Sequence, residues 1–106
     1  MNVVTKRTLV YYMDQYPLAN NSLQTWYDDF SRADFKNFNE LKAVYGNASI
    51  ISNNRVVFNI KGNSFRLIVS LSFETQAVYV IWFGPHVAYD KIDAANIKFV
   101  KNPYKQ

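Results

Sequence analysis

The chain has 106 residues, 49% of them hydrophobic, 17% aromatic and 19% charged. That is enough to bury one core and too little to divide into two, so a single domain over residues 1–106 is expected and a disordered chain is excluded. Twelve Lys and Arg against eight acidic residues give a net charge of +4, a bias towards RNA, DNA or an acidic partner. With no Cys, disulfides, thiolate chemistry and a cysteine zinc site are excluded. The N-terminus lacks the apolar stretch of a secretory signal, and no apolar run approaches the ~20 residues that cross a bilayer, so a cytoplasmic protein without membrane association is expected.

In chain order, Asn2–Thr5 reads as a short opening strand. Leu9, Tyr12, Met13 and Tyr16 then recur at three- and four-residue spacing, a helix that Pro17 stops. Asn20, Asn21 and Ser22 offer caps for a second helix, whose apolar stripe of Leu23, Trp26, Tyr27 and Phe30 falls at i, i+3, i+4 and i+7. Such a stripe reads as a core face, not a binding platform. A helical turn over Glu40–Tyr45, closed by Gly46 or Asn47, completes the helical half.

From Arg55 the period changes to two. Val56, Phe58 and Ile60 alternate with Arg55, Val57, Asn59 and Lys61; Gly62-Asn63 interrupts, and Phe65, Leu67, Val69, Leu71 and Phe73 resume. Gly in the first central position of a two-residue loop suits a type II′ hairpin, which pairs Lys61 with Ser64, Ile60 with Phe65, Asn59 with Arg66 and Phe58 with Leu67. Val56, Phe58, Ile60, Phe65, Leu67 and Val69 then share one face, where the helices can cover them. Lys61, Asn59 and Arg66 gather on the other near the turn, with Val57 and Ile68 further along. Glu74-Thr75-Gln76 makes a second turn, and Ala77–Phe83, apolar on both faces, reads as a central strand. A last strand is expected over Asn96–Val100, with a frayed tail from Lys101. Helices first and strands second predict an α+β fold: a small antiparallel-rich sheet with N-terminal helices packed on one face.

Among residues able to do chemistry, His86 is the only histidine and follows Gly84-Pro85, where the long strand must turn. If His86 opens a helical turn, Tyr89 and Asp90 share its side. Histidine can give or take a proton near neutral pH, yet a lone His near a strand end is equally a structural or solvated residue. One His, no Cys and scattered carboxylates form no recognisable metal-ligand set. There is neither a Gly-rich phosphate loop nor a serine-hydrolase elbow. The combination of His86, Tyr89 and Asp90 with Arg66, Lys61 and Lys91 supplies each role of metal-free RNA cleavage: a base, cations for the transition-state phosphate, and an acid for the leaving oxygen. Arg66 on an outward hairpin face can also be merely solvated or paired.

Three segments carry a family resemblance. Ala48-Ser49-Ile50, Asn54–Asn63 and Phe65–Val69 resemble the signature of HigB-type toxins in the RelE/ParE superfamily. Leu23-Gln24-Thr25-Trp26-Tyr27 resembles that family's helix, and Gly84–Asp93 its closing motif; Pro85 stands where the family pattern carries Thr before the His. The resemblance implies a compact sheet with helices on one side and a type II toxin that cuts mRNA on the ribosome, in the aminoacyl site of the small ribosomal subunit, without metal or other cofactor. Its implied partner is a HigA-like helix-turn-helix antitoxin, the toxin itself being monomeric and the complex heterotetrameric.

Carried onto this sequence, the implied site joins Arg66 to His86, Tyr89 and Asp90. Arg66 would stabilise the phosphate, His86 and Tyr89 would share acid and base work, and Asp90 would orient one of them. Arg55, Lys61, Asn63 and Lys91 would bind RNA backbone. Arg66 and Lys61 are expected across a shallow groove from His86, Tyr89 and Asp90, close enough to share one phosphate. Superfamily relatives that poison gyrase keep a binding-only reading open, as does an RNA-binding regulator without turnover.

Overall fold

Leu9 and Met13 are buried on one side of α1 (Lys6–Gln15), with Tyr12 packed beside them, so the three-and-four spacing is realised as helix. Throughout, the fold is that of a computed structural model, which describes residues 1–98. Before α1 lies the two-residue strand β1 (Asn2–Val3), in register with the expected opening strand. Pro17 ends α1 and starts a 3-10 turn (Pro17–Ala19) that runs directly into α2 (Asn20–Arg32). The polar caps expected at Asn20–Ser22 are therefore not used: Ala19 occupies the cap position without a side-chain bond, and all three lie within the helix. A turn already helical delivers the chain in register, which removes the need for a capping side chain.

Leu23, Trp26 and Phe30 of α2 are buried as the stripe requires. Helix α3 (Phe38–Val44) starts earlier than its apolar pattern suggests, because the Asn37 side chain accepts the Glu40 backbone N–H at 2.9 Å. It ends on Tyr45, not on Gly46 or Asn47; Tyr45 N–H returns to Leu41 O at 2.8 Å.

The strands β2 (Ser49–Ile51), β3 (Arg55–Ile60), β4 (Phe65–Ser72) and β5 (Ala77–Pro85) join β1 in one sheet of order β1-β5-β4-β3-β2. Only β1 against β5 is parallel. The β3–β4 register matches the alternation: Phe58 faces Leu67, Asn59 faces Arg66 and Ile60 faces Phe65. Its turn is not a II′ turn carried by glycine alone, since both Lys61 (φ 54°) and Gly62 (φ 62°) are left-handed. This takes Lys61 out of the strand's alternation.

Val56, Phe58, Ile60, Phe65, Leu67 and Val69 all enter the main core beneath the helices. Trp26 stacks on Phe30 at 5.0 Å, and Phe30, Tyr45 and Phe58 close the cluster edge to face at 5.1–5.7 Å. Each such side chain contributes about 1.5–3 kcal/mol of burial, and each aromatic pair about 0.5–1.5 kcal/mol more.

β5 is interior, as its apolar run predicts, but a bulge lets that run serve two faces. Ile68 pairs with Trp82 while Val69 pairs with Val80, so Ile81 is the extra residue. Val78, Val80 and Phe83 join the helix-side core, whereas Ile81 and Trp82 turn to the other face. There Val57, Ile68 and Ile81 form a second small core, covered by Tyr89, Ile92, Ala94 and Ile97. The outer edge of β5 is sealed by side chains. Val80 N–H donates to Thr5 Oγ1 at 2.7 Å, and the half-buried Tyr12 hydroxyl is hydrogen-bonded to the Phe83 backbone.

The covering segment is not a strand over Asn96–Lys98; the rest of the expected last strand, and the tail from Lys101, lie outside the described residues. It is tied down by side chains: Arg55 Nη1 donates to Ala94 O at 2.8 Å and Asn53 Nδ2 to Ala95 O at 3.0 Å. Among the described residues no helix is long and apolar enough to cross a membrane.

Candidate active site

The β3–β4 hairpin turn is the template on which the candidate residues meet. Two of its carbonyls are taken by site residues. Arg66 Nη1 donates to Asn63 O at 2.9 Å and to Phe65 O at 3.1 Å. The backbone N–H of His86 donates to Ser64 O at 3.0 Å. Arg66 itself pairs with Gly84 across β4–β5, two residues before His86. The guanidinium and the histidine are thus anchored to neighbouring residues of one turn. Arg66 is half-buried, and none of the ion pairs among the described residues involves it.

Pro85 ends β5 with φ −61° and ψ 152° and delivers the chain into α4 (His86–Tyr89). Its fixed φ suits this corner, and its missing N–H is not needed there. His86 and Asp90 fall on one side of the turn, as their spacing requires, with Nδ1 and Oδ2 3.6 Å apart and both side chains about half exposed or more (49% and 65%). An exposed contact of that length contributes little stability. It places the Asp90 carboxylate beside the Nδ1 edge of the ring.

Tyr89 is half-buried and packs against Trp82, ring centres 6.3 Å apart. Trp82 is a site residue that the motif reading did not single out. Its indole lies along β5 over Gly84, where an added Cβ would stand 2.7 Å from Cη2 and 2.8 Å from Cζ2. A glycine amid bulky strand residues is the sequence signal for this close approach. The ring thus lies between Gly84, the cross-strand partner of Arg66, and Tyr89.

The remaining basic candidates divide. Lys91 is exposed one residue beyond Asp90, and Asn63 is exposed at the turn, its side-chain oxygen 3.4 Å from Asn59 Nδ2. Lys61 does not join Arg66. Its left-handed backbone sends the side chain towards the helices, where Nζ donates to Leu18 O at 3.3 Å. Arg55 lies at the opposite end of β3, with Ser70 as partner instead of Arg66, and its guanidinium holds Ala94 O. Lys61 and Arg55 are therefore not brought beside Arg66 as the sequence led one to expect. Among the described residues no three His, Cys, Asp or Glu side chains come together as a metal-holding group.

Residues 19–92 match the family described as "HigB_toxin, RelE-like toxic component of a toxin-antitoxin system". Over 98 residues the chain is 26% identical to the "mRNA interferase toxin HigB" of Escherichia coli (strain K12), covering 91% of this chain and 94% of that protein. The "mRNA interferase HigB" proteins of Escherichia coli O157:H7 and Shigella flexneri are similar to the same extent.

Proposed function

The chain belongs to the HigB family of RelE-like toxins, and on that premise we propose that it is an mRNA interferase, an endoribonuclease that stops translation by cutting messenger RNA at the ribosome. As the toxic component of a toxin–antitoxin system it has an antitoxin partner; a HigA-like helix-turn-helix protein, joined in a heterotetramer, and cytoplasmic action at the ribosomal aminoacyl site complete the reading. The observation that carries it is the shared turn: Asn63 O holds Arg66 and Ser64 O holds His86.

In the reaction, a 2′-hydroxyl attacks the adjacent phosphorus. The O2′–P bond forms and the P–O5′ bond breaks, leaving a 2′,3′-cyclic phosphate and a 5′-hydroxyl. His86 or Tyr89 takes the 2′-hydroxyl proton, and the other returns one to the departing O5′. Asp90 holds the His86 ring. Arg66, already fixed by two carbonyls, meets the charge that develops on the phosphate without reorganising, the arrangement in which a cation is most effective. Lys91 and Asn63 flank this position and suit RNA backbone; Lys61 and Arg55 contribute to the turn and to the C-terminal cover.

Mapped RNA breaks on ribosome-bound message test the reading. Arg66→Ala and His86→Ala are each expected to lower cleavage about 100- to 1,000-fold, the cost of removing one preorganised stabilising group. Wild-type breaks from both folded variants would defeat the assignment of roles. Inhibited DNA supercoiling with intact message would defeat the ribonuclease reading altogether.

A further inference from the structure

Residues 86–97 form a strip that begins at the candidate site and ends over the second core. Its helix α4 has four residues, too few to stand alone, so the bonds that hold the strip to the sheet decide where Tyr89 and Asp90 sit. It is tied at both ends. At the start, His86 N–H donates to Ser64 O at 3.0 Å. At the other end, Arg55 Nη1 donates to Ala94 O at 2.8 Å and Asn53 Nδ2 to Ala95 O at 3.0 Å.

Between these ties the chain is bonded turn to turn. Asp90 N–H returns to His86 O at 3.0 Å and Ile92 N–H to Tyr89 O at 3.2 Å. Asp93 gathers the next turn: its backbone carbonyl accepts Ile97 N–H at 2.8 Å, and its carboxylate accepts Ala95 N–H at 3.2 Å and Asn96 Nδ2 at 2.8 Å. Tyr89, Ile92, Ala94 and Ile97 all rest on the one small core of Val57, Ile68 and Ile81. A strip linked in this way on a single apolar patch moves as a unit, so a shift at Ala94 reaches Tyr89.

Arg55 lies about 13 Å along β3 from Asn59, the cross-strand partner of Arg66. A guanidinium held there is remote from a phosphate at Arg66. Its half-buried stem suits an apolar surface, and a charged donor on a carbonyl is a stronger tie than a neutral one.

We propose that Arg55 is a remote positioning residue: through Ala94 O it fixes the strip and so sets Tyr89 and Asp90 against His86 and Arg66, with Asn53 as a second tie. The inference rests on the RNA-cleaving reading and adds to it a residue that touches no RNA.

The test compares the full chain with Arg55→Met, which keeps the stem without the donor, and with Val78→Ala, a core truncation on the helix side of β5. Cleavage of ribosome-bound message gives kcat and KM, and NMR follows the ring signals of Tyr89 and His86 without RNA. Arg55→Met is expected to lower kcat about 10- to 100-fold, the cost of a small misplacement of reacting groups. KM and its salt dependence should stay unchanged, and the Tyr89 ring signals should move. Val78→Ala should show neither the loss of kcat nor the moved signals. A raised KM with unchanged kcat and a shallower salt dependence would make Arg55 an RNA-backbone contact and overturn the proposal. So would ring signals that stay still, or an equal loss of kcat in Val78→Ala. Asn53→Ala, which frees Ala95 O alone, carries the same test if Arg55→Met does not fold. Ring signals that move in a chain that cuts no RNA defeat the ribonuclease reading and leave the tether standing; still signals in a chain that cuts RNA defeat the tether alone.

Discussion

The two faces of the sheet are built on different plans. The helix-covered face carries a dense set of rings, with Trp26, Phe30, Phe35, Phe58, Phe65 and Phe83 all buried. The other face has three buried residues, Val57, Ile68 and Ile81, under a short irregular segment held by two side chains. Stability is concentrated on the first face, while the candidate site sits at the end of the second. There, position comes from backbone carbonyls of a turn more than from burial. A site held this way can keep His86 and Asp90 exposed and still ordered.

Substitutions on each face sharpen that contrast. The largest expected effect is on the ring face: Phe30→Ala, at a position with no exposure, should cost about 3–5 kcal/mol of stability, measured by urea unfolding. A loss below ~1 kcal/mol would mean that the rings do not dominate.

Gly84→Ala comes next. Its Cβ meets the Trp82 ring, so a loss of about 1–3 kcal/mol is expected, together with changed Trp emission and reduced RNA cleavage. Unmoved emission would show that Trp82 does not lie over the glycine. Arg55→Met keeps the stem and removes the donor to Ala94 O. About 1 kcal/mol should be lost, with amide exchange accelerated around Ala95–Ile97 and unchanged in α2; equal acceleration in α2 would make the two faces one cooperative unit.

The smallest effect is alkaline. Burial raises the Tyr12 hydroxyl above its ordinary 10.0, partly offset by the Phe83 backbone, and burial, with Asp29 nearby, raises Tyr45. Folding therefore favours their protonated forms. This stabilisation is complete below pH 10.0 and is lost as pH rises through the raised values. In Tyr45→Phe the alkaline decline should be shallower, followed by thermal melts between pH 9 and 12; an unchanged slope removes Tyr45 from the account.

Alternation is what made the hairpin legible. Six alternating apolar positions admit only one register, because a slip by one residue exposes all of them. The turn itself is less legible, since a left-handed Lys61 has no sequence signal. β2 has three residues, exposed or half-exposed, too few for a period. The cover over the second face is equally silent: Ile92, Ala94 and Ile97 follow no helix or strand spacing. His86, Tyr89 and Asp90 come from one local motif and stay together. Lys61 and Arg55 depend on one backbone angle and one distant carbonyl, which spacing does not encode.

The bulge at Ile81 makes the placement of this site a matter of parity. With one extra residue in β5, Gly84 falls on the same face as Arg66; with Ile81 paired into the ladder it would fall among the phenylalanines. One more residue between Val80 and Phe83, paired into the ladder, would carry the strand's end to the wrong side, whereas loss of the bulged Ile81 would leave Gly84 opposite Arg66 in an even ladder. Evolution can therefore vary side chains along β5 more freely than it can lengthen the strand. Among relatives, single-residue insertions should be scarce between Val80 and His86 even where identities differ, and the tolerated deletion should be the one that removes the bulge.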